Sequence, residues 1–158
     1  MALELTSDAI HPNQALPTRF SCEGERVSPP LAWKGAPRET AAFVLIVDDP
    51  DAPRGTFTHW VLYNLPGDAT YLEENIPQVP RLGNGALQGQ NDFGGSGYGA
   101  PCPPDGDAPH HYRFTLYALD TKLPLGAGAT KKQVLDAMRT HVLDQAQIVG
   151  TYQRKGRV

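Results

Sequence analysis

Basic residues are not in excess: 14 lysines and arginines face 17 aspartates and glutamates, for a net charge of −3 and a pI near 5.9. Phosphate neutralisation along a nucleic acid needs clustered cations, so nucleic acid is not expected as the main partner. A local cationic pocket stays open. Cysteine is equally scarce. Cys22 and Cys102 are the whole complement, with no CxxC pattern, which excludes a disulfide framework and a zinc or redox motif. In a reducing cytosol such cysteines are expected as two free thiols. Long apolar runs are missing too. The longest, Ala41 to Val47, is far too short to span a bilayer, so no stable membrane insertion is expected. The opening residues MALELTSDAIHPN carry Glu4 and no apolar core segment, unlike a secretory leader, and the expected compartment is the cytoplasm. No internal repeat is apparent.

What is present describes an ordered chain. Hydrophobic residues make up 40% and charged residues 20% of 158 positions, which fits one globular domain over residues 1–158 with a core that needs no staples. Glycine (16) and proline (15) are plentiful but cluster in two stretches, 11–37 and 81–109. That clustering marks long, shaped loops rather than a low-complexity linker. Residues 2–6 suit a short first strand. Ala41–Val47 is continuous, apolar and rich in β-branched residues, the pattern of a strand buried on both faces. It stops at Asp48-Asp49-Pro50-Asp51-Ala52-Pro53, where two prolines forbid ladder pairing. In Phe57–Asn64 the residues Phe57, His59, Val61 and Tyr63 share one face by alternation. Tyr112–Leu119 repeats the pattern with Tyr112, Phe114, Leu116 and Ala118. The spacing predicts one principal helix over Thr130–Asp144, with a capping box at Thr130 and Gln133 and an apolar stripe of Val134, Met138 and Val142. A last strand is expected at Gln147–Gln153. Strands joined by long Pro/Gly loops predict a mostly β protein, an antiparallel β-sandwich with one late helix.

Two clusters could carry chemistry. In the first, Asp48, Asp49 and Asp51 precede His59; carboxylates near an imidazole can bind a metal, run acid–base chemistry, or orient and charge the ring. Turn preference explains the same aspartates equally well. The second is Pro101-Cys102-Pro103-Pro104-Asp105-Gly106 followed by His110-His111-Tyr112. Neighbours on a strand point to opposite faces, so His110 and Tyr112 share a face and could offer N–H and O–H donors to one ligand, while His111 faces away. A histidine capping a backbone carbonyl is the plainer alternative. Three other signals carry little. Asp92-Phe93-Gly94 spells a kinase motif without the rest of the kinase set. Gly94–Gly99 is glycine-rich but lacks the Lys-Ser/Thr of a phosphate-binding loop. Cys102 with His110 could be nucleophile and base, but no helix N-terminus is at hand to lower the thiol pKa.

Taken together the motifs resemble the phosphatidylethanolamine-binding, or Raf-kinase-inhibitor-like, family. Asp49-Pro50-Asp51-Ala52-Pro53 with Phe57-Thr58-His59-Trp60 is similar to its first signature. Pro103-Pro104-Asp105-Gly106 with His110-x-Tyr112 is similar to its second. Ser28-Pro29-Pro30-Leu31-x-Trp33, Asn91-Asp92-Phe93-Gly94, Gly97-Tyr98-Gly99 and Phe114-x-Leu116-Tyr117-Ala118-Leu119-Asp120 resemble the bacterial and archaeal branch. The resemblance implies an antiparallel sandwich with a small cavity for phosphate or a phosphoethanolamine-type head group. It implies a ligand site of Asp49, Asp51, Pro53, His59, Pro104, His110 and Tyr112, with Pro53 and Pro104 as walls. It also implies a non-enzymatic binding protein without a cofactor, a kinase or protease as protein partner, and a homodimer. The rival readings are a small hydrolase or lyase using Asp49, His59 and His110, and a metal protein using Asp49, Asp51, His59 and His110. Three details follow from the resemblance. Ala52–Pro53 is expected as a cis peptide. Cys22 and Cys102 fall in loops near the cavity, close enough to pair under oxidation, against the two free thiols expected in the cytosol. Finally, His111 stands where the family usually has Arg, replacing a permanent charge with a conditional one.

Overall fold

A computed structural model describes residues 2–155. Its strands are β1 (Glu4–Thr6), β2 (Leu31–Lys34), β3 (Ala42–Asp49), β4 (Phe57–Pro66), β5 (Tyr71–Leu72), β6 (Leu87–Gln88), β7 (His110–Leu119) and β8 (Val142–Tyr152). One helix, α1 (Lys131–Met138), lies between β7 and β8. The strands form two sheets, β1-β2-β5 and β6-β4-β3-β7-β8. Every ladder is antiparallel.

The apolar run of β3 sits at the centre of the larger sheet, and all eight residues of the strand are buried. Alternation divides it between two cores. Phe43, Leu45 and Val47 join Leu5, Leu31, Trp33 and Leu72 of the small sheet. Val44 and Ile46 join Val134 and Met138 of α1 on the opposite face. The large sheet is therefore covered on both sides, which explains why its central strand can be hydrophobic at every position from Ala42 to Val47.

The helix is shorter than its apolar stripe predicts. Its capping box is present, with the Thr130 side chain accepting from the Gln133 N–H and the Gln133 side chain accepting from the Thr130 N–H. It ends at Met138. His141 N–H donates back to the Met138 carbonyl, and Asp120 N–H takes the His141 carbonyl. From there β8 runs on, Val142 pairing with Leu119 and Asp144 with Ala118 of β7, with Leu143 left over at a register shift. Val142 continues the helical spacing, but a long ladder on β7 satisfies more backbone groups than one further helical turn. The last strand thus begins at Val142, not at Gln147.

Residues 81–109 lack long elements yet are tied down by backbone bonds. Gly89 N–H donates to Val61 O, Gln90 N–H to Ala129 O, Asp92 N–H to Thr58 O, and Gly99 N–H to His59 O. The loop is thereby laced along the outer edge of β4. Cys22 and Cys102 are joined in a disulfide with α-carbons 5.3 Å apart, a spacing in the ordinary range for bridged cysteines. This is the pairing that the resemblance implies, and it replaces the two free thiols that were the alternative. Among the described residues no helix is long and apolar enough to cross a membrane.

The bridge closes a sequence separation of 80 residues. Removing it from a domain of this size costs about 2–4 kcal/mol, mainly through the unfolded chain. The double variant Cys22→Ser/Cys102→Ser, and the wild type in excess dithiothreitol, are expected to show that loss in urea denaturation monitored by tryptophan fluorescence. Identical curves with and without reductant would show that the bridge contributes nothing to stability.

Candidate functional site

Three strand ends meet at one edge of the larger sheet. The order β4-β3-β7 with antiparallel pairing sets the end of β3 beside the starts of β4 and β7. On β7, alternation sends His110 and Tyr112 to one face and His111 to the other, as expected. On β3 it sends Asp49 toward His110 and Asp48 the opposite way, to Arg113 Nε at 2.7 Å and Lys131 Nζ at 2.8 Å.

His59 reaches the same face by a different route. The register of β3 and β4 pairs Val47 with Trp60 and Asp48 with Thr58, leaving His59 as an extra residue. Such a bulge bends the strand and re-aims side chains. Simple alternation groups His59 with Val61 and Tyr63, which lie in the core under α1. Past the bulge, His59 instead packs edge-on against Tyr112, with ring centroids 5.2 Å apart. Its strand is not a neighbour of the His110/Tyr112 strand, because β3 and Asp49 lie between them.

These groups line one cavity of about 190 Å³, whose walls are Ala52, Pro53, Phe57, Phe93, Cys102, Pro103 and Pro104, with Asp49, His59, His110 and Tyr112 beneath. A larger cavity of about 670 Å³ lies beyond Phe93 and the Cys22–Cys102 bridge. Its lining holds no imidazole and no paired carboxylates, so the chemistry belongs to the smaller one. Six of the seven residues expected at the site line that smaller cavity. The seventh, Asp51, does not: its Oδ2 accepts from the His111 N–H at 2.8 Å and from the His111 ring at 2.7 Å on the outside of the turn. These two hydrogen bonds from His111 lower the Asp51 carboxyl below the usual carboxylate range. With Asp51 turned outward, the metal set of Asp49, Asp51, His59 and His110 does not converge. The Asp48–Pro53 turn is closed by Asp51 N–H donating to Asp49 Oδ1 at 2.8 Å and Gly55 N–H to Ala52 O at 3.1 Å. These bonds complete the turn with Ala52–Pro53 trans, since no cis peptide occurs among the described residues; the cis expectation is corrected.

The two imidazoles are in opposite electrostatic states. His110 donates from Nδ1 to Asp49 Oδ2 at 2.6 Å and from Nε2 to Asp107 Oδ2 at 3.0 Å. Burial works against its charge, but the two carboxylates outweigh it and the pKa is raised. His59 is bonded at Nδ1 to the Gly99 carbonyl, 2.7 Å away. A carbonyl only accepts, so Nδ1 carries the proton and Nε2 is a bare lone pair in the neutral ring. Burial lowers its pKa, and the Gly99 bond offsets this only in part. Burial, aided by the charge of Asp49 and Asp51, keeps the Tyr112 phenol protonated. Among the described residues neither the Tyr112 hydroxyl nor His59 Nε2 has a partner, and neither is sealed from solvent, so both open onto the cavity. A Cβ at Gly99 would lie 2.4 Å from the Phe93 ring and would displace that wall of the cavity.

Sequence reasoning missed Asp107, Phe57, Phe93 and Gly99. Asp107 carries a usable signal, a carboxylate three residues before His110 in a turn-rich segment. Phe57 carries one too, since alternation puts it on the face of His59; Phe93 carries none for the cavity, because it reaches it only through the folding of the 81–109 loop.

A sequence model of the family described as phosphatidylethanolamine-binding protein matches residues 6–153. A UPF0098 protein of Methanothermobacter thermautotrophicus is 50% identical over 152 residues, covering 96% of this chain and 99% of that protein. Two solved structures are similar over nearly their whole length. Escherichia coli YbcL, described as a new member of the mammalian family, gives a TM-score of 0.91 at 36% identity, covering 98% of this chain and 100% of that one. A family homologue from Chlamydia trachomatis gives 0.89 at 41% identity, covering 98% and 99%.

The raised His110 pKa has a consequence for stability. A histidine whose folded pKa exceeds its unfolded value of about 6.5 contributes stability that is complete below that value. The contribution is lost as pH rises through the folded pKa. His59, with its pKa lowered, acts in reverse and costs stability as pH falls below about 6.5. Urea unfolding of wild type and His110→Gln from pH 5 to 9 is the measurement. The difference between the two proteins is expected to shrink as pH rises above neutrality. A constant difference would mean that His110 is not charged by its carboxylates.

Proposed function

The chain belongs to the phosphatidylethanolamine-binding protein family, and from that premise we propose that it is a non-enzymatic binding protein whose small cavity takes an anion, phosphate or a phosphoethanolamine-type head group. One observation carries the reading. A carboxylate-held imidazolium, a protonated phenol and a single bare imidazole nitrogen border the same cavity. At about 190 Å³ the cavity has room for a phosphate group. The imidazolium and phenol supply donors to the anion. His59 Nε2 supplies the complement: it accepts from a protonated phosphate oxygen, or takes that proton and becomes a second cation. Either way one proton sits at the contact. Pro53, Pro103 and Pro104 make stiff walls, since their φ angles are fixed. A pocket of this kind suits a regulator that holds a phosphorylated group on a protein, a kinase or protease being the partner the family resemblance suggests.

Catalysis is the second reading, favoured by the Asp49–His110 dyad, which has the form of an oriented base. Against it, the cavity offers no serine hydroxyl or free thiol as a nucleophile; Cys102 is in the disulfide. Phosphoester turnover abolished by Asp49→Asn would establish it in place of simple binding.

Calorimetric titration with inorganic phosphate and with phosphoethanolamine tests the proposal. Binding is expected to tighten as pH falls from about 8 to about 6, as the shared proton becomes available. His59→Ala and His110→Ala are expected to weaken binding about tenfold or more, since a charge-assisted contact is worth roughly 1.5–3 kcal/mol. His111→Ala, on the outer face, is expected to leave affinity nearly unchanged. Equal losses for all three variants, or affinity independent of pH, would overturn the anion reading.

A further inference from the structure

Both ring nitrogens of His110 are engaged by carboxylates, but the two carboxylates are not alike. Asp49 is fixed on β3 with its side chain 4% exposed, and its second oxygen is held by the Asp51 N–H. Asp107 lies in the exposed loop before β7, with its side chain 41% exposed. The backbone of Asp107 is tethered at both ends of the residue. Its N–H donates to the Pro104 carbonyl at 3.2 Å, and its carbonyl accepts from Gln153 Nε2 at 3.1 Å. The carboxylate itself is held by the His110 ring alone among the described residues. It can rotate into water about its side-chain bonds without any movement of the main chain.

An imidazolium has two N–H groups. Asp49 holds one of them permanently, so Nε2–H is the only donor that His110 has left for a ligand. That donor already has an anion on it. We propose that Asp107 is a specificity-determining residue: its carboxylate occupies the Nε2–H of His110 in the free protein and competes with the anionic ligand for that single donor. The proposal rests on the anion-binding reading and narrows its ligand class. A ligand carboxylate would exchange one carboxylate for another at Nε2 and gain nothing there. A phosphomonoester carries up to two charges and three acceptor oxygens. It can replace Asp107 on Nε2–H while also reaching the Tyr112 hydroxyl and His59 Nε2. The resident carboxylate therefore rejects carboxylate metabolites and phosphodiesters, which bring two acceptor oxygens and no proton for His59 Nε2, in favour of phosphomonoesters, which bring three oxygens and keep a proton near neutrality. The same contact helps keep His110 protonated while the cavity is empty, so the donor is ready when the ligand arrives.

The test compares wild type, Asp107→Ala and Asp107→Asn. Affinity is measured by calorimetry at pH 6 for inorganic phosphate, phosphoethanolamine and acetate. Two carboxylates bear mainly on the charge of His110, Asp49 from β3 and Asp107 from the loop, against its burial, with a smaller coupling to Asp51 of the turn. The low pH keeps His110 protonated through Asp49 after Asp107 is removed, and nitrogen NMR of the His110 ring verifies this in each protein. Both variants are expected to bind phosphate about tenfold more tightly, as a competitor for one charge-assisted contact is removed. The preference for phosphate over acetate is expected to fall in both. In the NMR spectra, phosphate should shift the His110 Nε2 resonance of all three proteins. Without ligand, that resonance should differ between wild type and Asp107→Ala. Phosphate affinity that is unchanged or weaker in both variants, with His110 protonated and His110→Ala still weakened, would overturn the role of Asp107 and leave the anion pocket standing. Absence of phosphate binding in all three would overturn the anion reading itself, and the competitor role with it.

Discussion

Adjacent residues on a strand face opposite sides of its sheet, and at the end of β3 this rule falls on two aspartates. Asp48 points toward α1 and meets Arg113 and Lys131; Asp49 points into the cavity and meets His110. Everything else at this end of the molecule follows from that division. Burying a carboxylate is costly unless it is paired and hydrogen-bonded, so each aspartate demands a cation on its own side. For Asp48, burial alone would raise the pKa, but the guanidinium and ammonium outweigh it and hold it low. Its stability contribution is therefore present above the usual carboxylate range and lost on acidification through that lowered pKa. The pairing also fastens the first turn of α1 to the sheet through Lys131. For Asp49, the demanded cation is the His110 imidazolium, and the same demand creates the charge that the cavity presents.

A second constraint is the bulge at His59. Without the extra residue, alternation would send this ring under α1 with Val61 and Tyr63. With it, the ring turns to Tyr112 and exposes one nitrogen to the cavity. Gly99 holds the bulged position from outside, since its N–H donates to the His59 carbonyl and its own carbonyl accepts from the His59 ring. The 81–109 loop thus fixes a cavity-lining imidazole by its backbone, and the Cys22–Cys102 bridge fixes the loop in turn. Cavity walls and floor belong to one tied system, although they lie far apart in sequence.

How much of this was legible in the sequence depended on the range of the forces involved. The β3 run, the β7 alternation and the Thr130 capping box are local patterns, and each appears as read. So does the convergence of Asp49, His59, His110 and Tyr112, which the paired motifs indicated. The departures all arise where a distant partner outweighs a local preference. Val142 continues a helical stripe, yet its segment pairs with β7. His59 alternates with Val61 on paper, but a register shift against β3 separates them. The Cys22–Cys102 bridge is no departure from the resemblance, which implied it, although nothing local in either loop shows it. Asp51 belongs to the first signature, but its oxygen is taken by His111, a residue that itself departs from the family pattern. There His111 keeps Asp51 hydrogen-bonded through both its N–H and its ring.

The functional consequence rests on how differently the two cavity histidines are partnered. Their rings are chemically the same, with an ordinary pKa near 6.5. One lies between carboxylates and is driven toward the cation; the other lies against a carbonyl within a wall of Phe57, Phe93 and Tyr112 and is driven toward the neutral base. Environments that push like groups apart in this way assign them different tasks. A cavity with two imidazoliums would attract any anion, and one with two neutral rings would hold none strongly. This arrangement instead sets a donor cation opposite a proton acceptor. That combination fits an anion which still carries a proton, as phosphate and its monoesters do near neutrality, better than a fully deprotonated carboxylate of equal size.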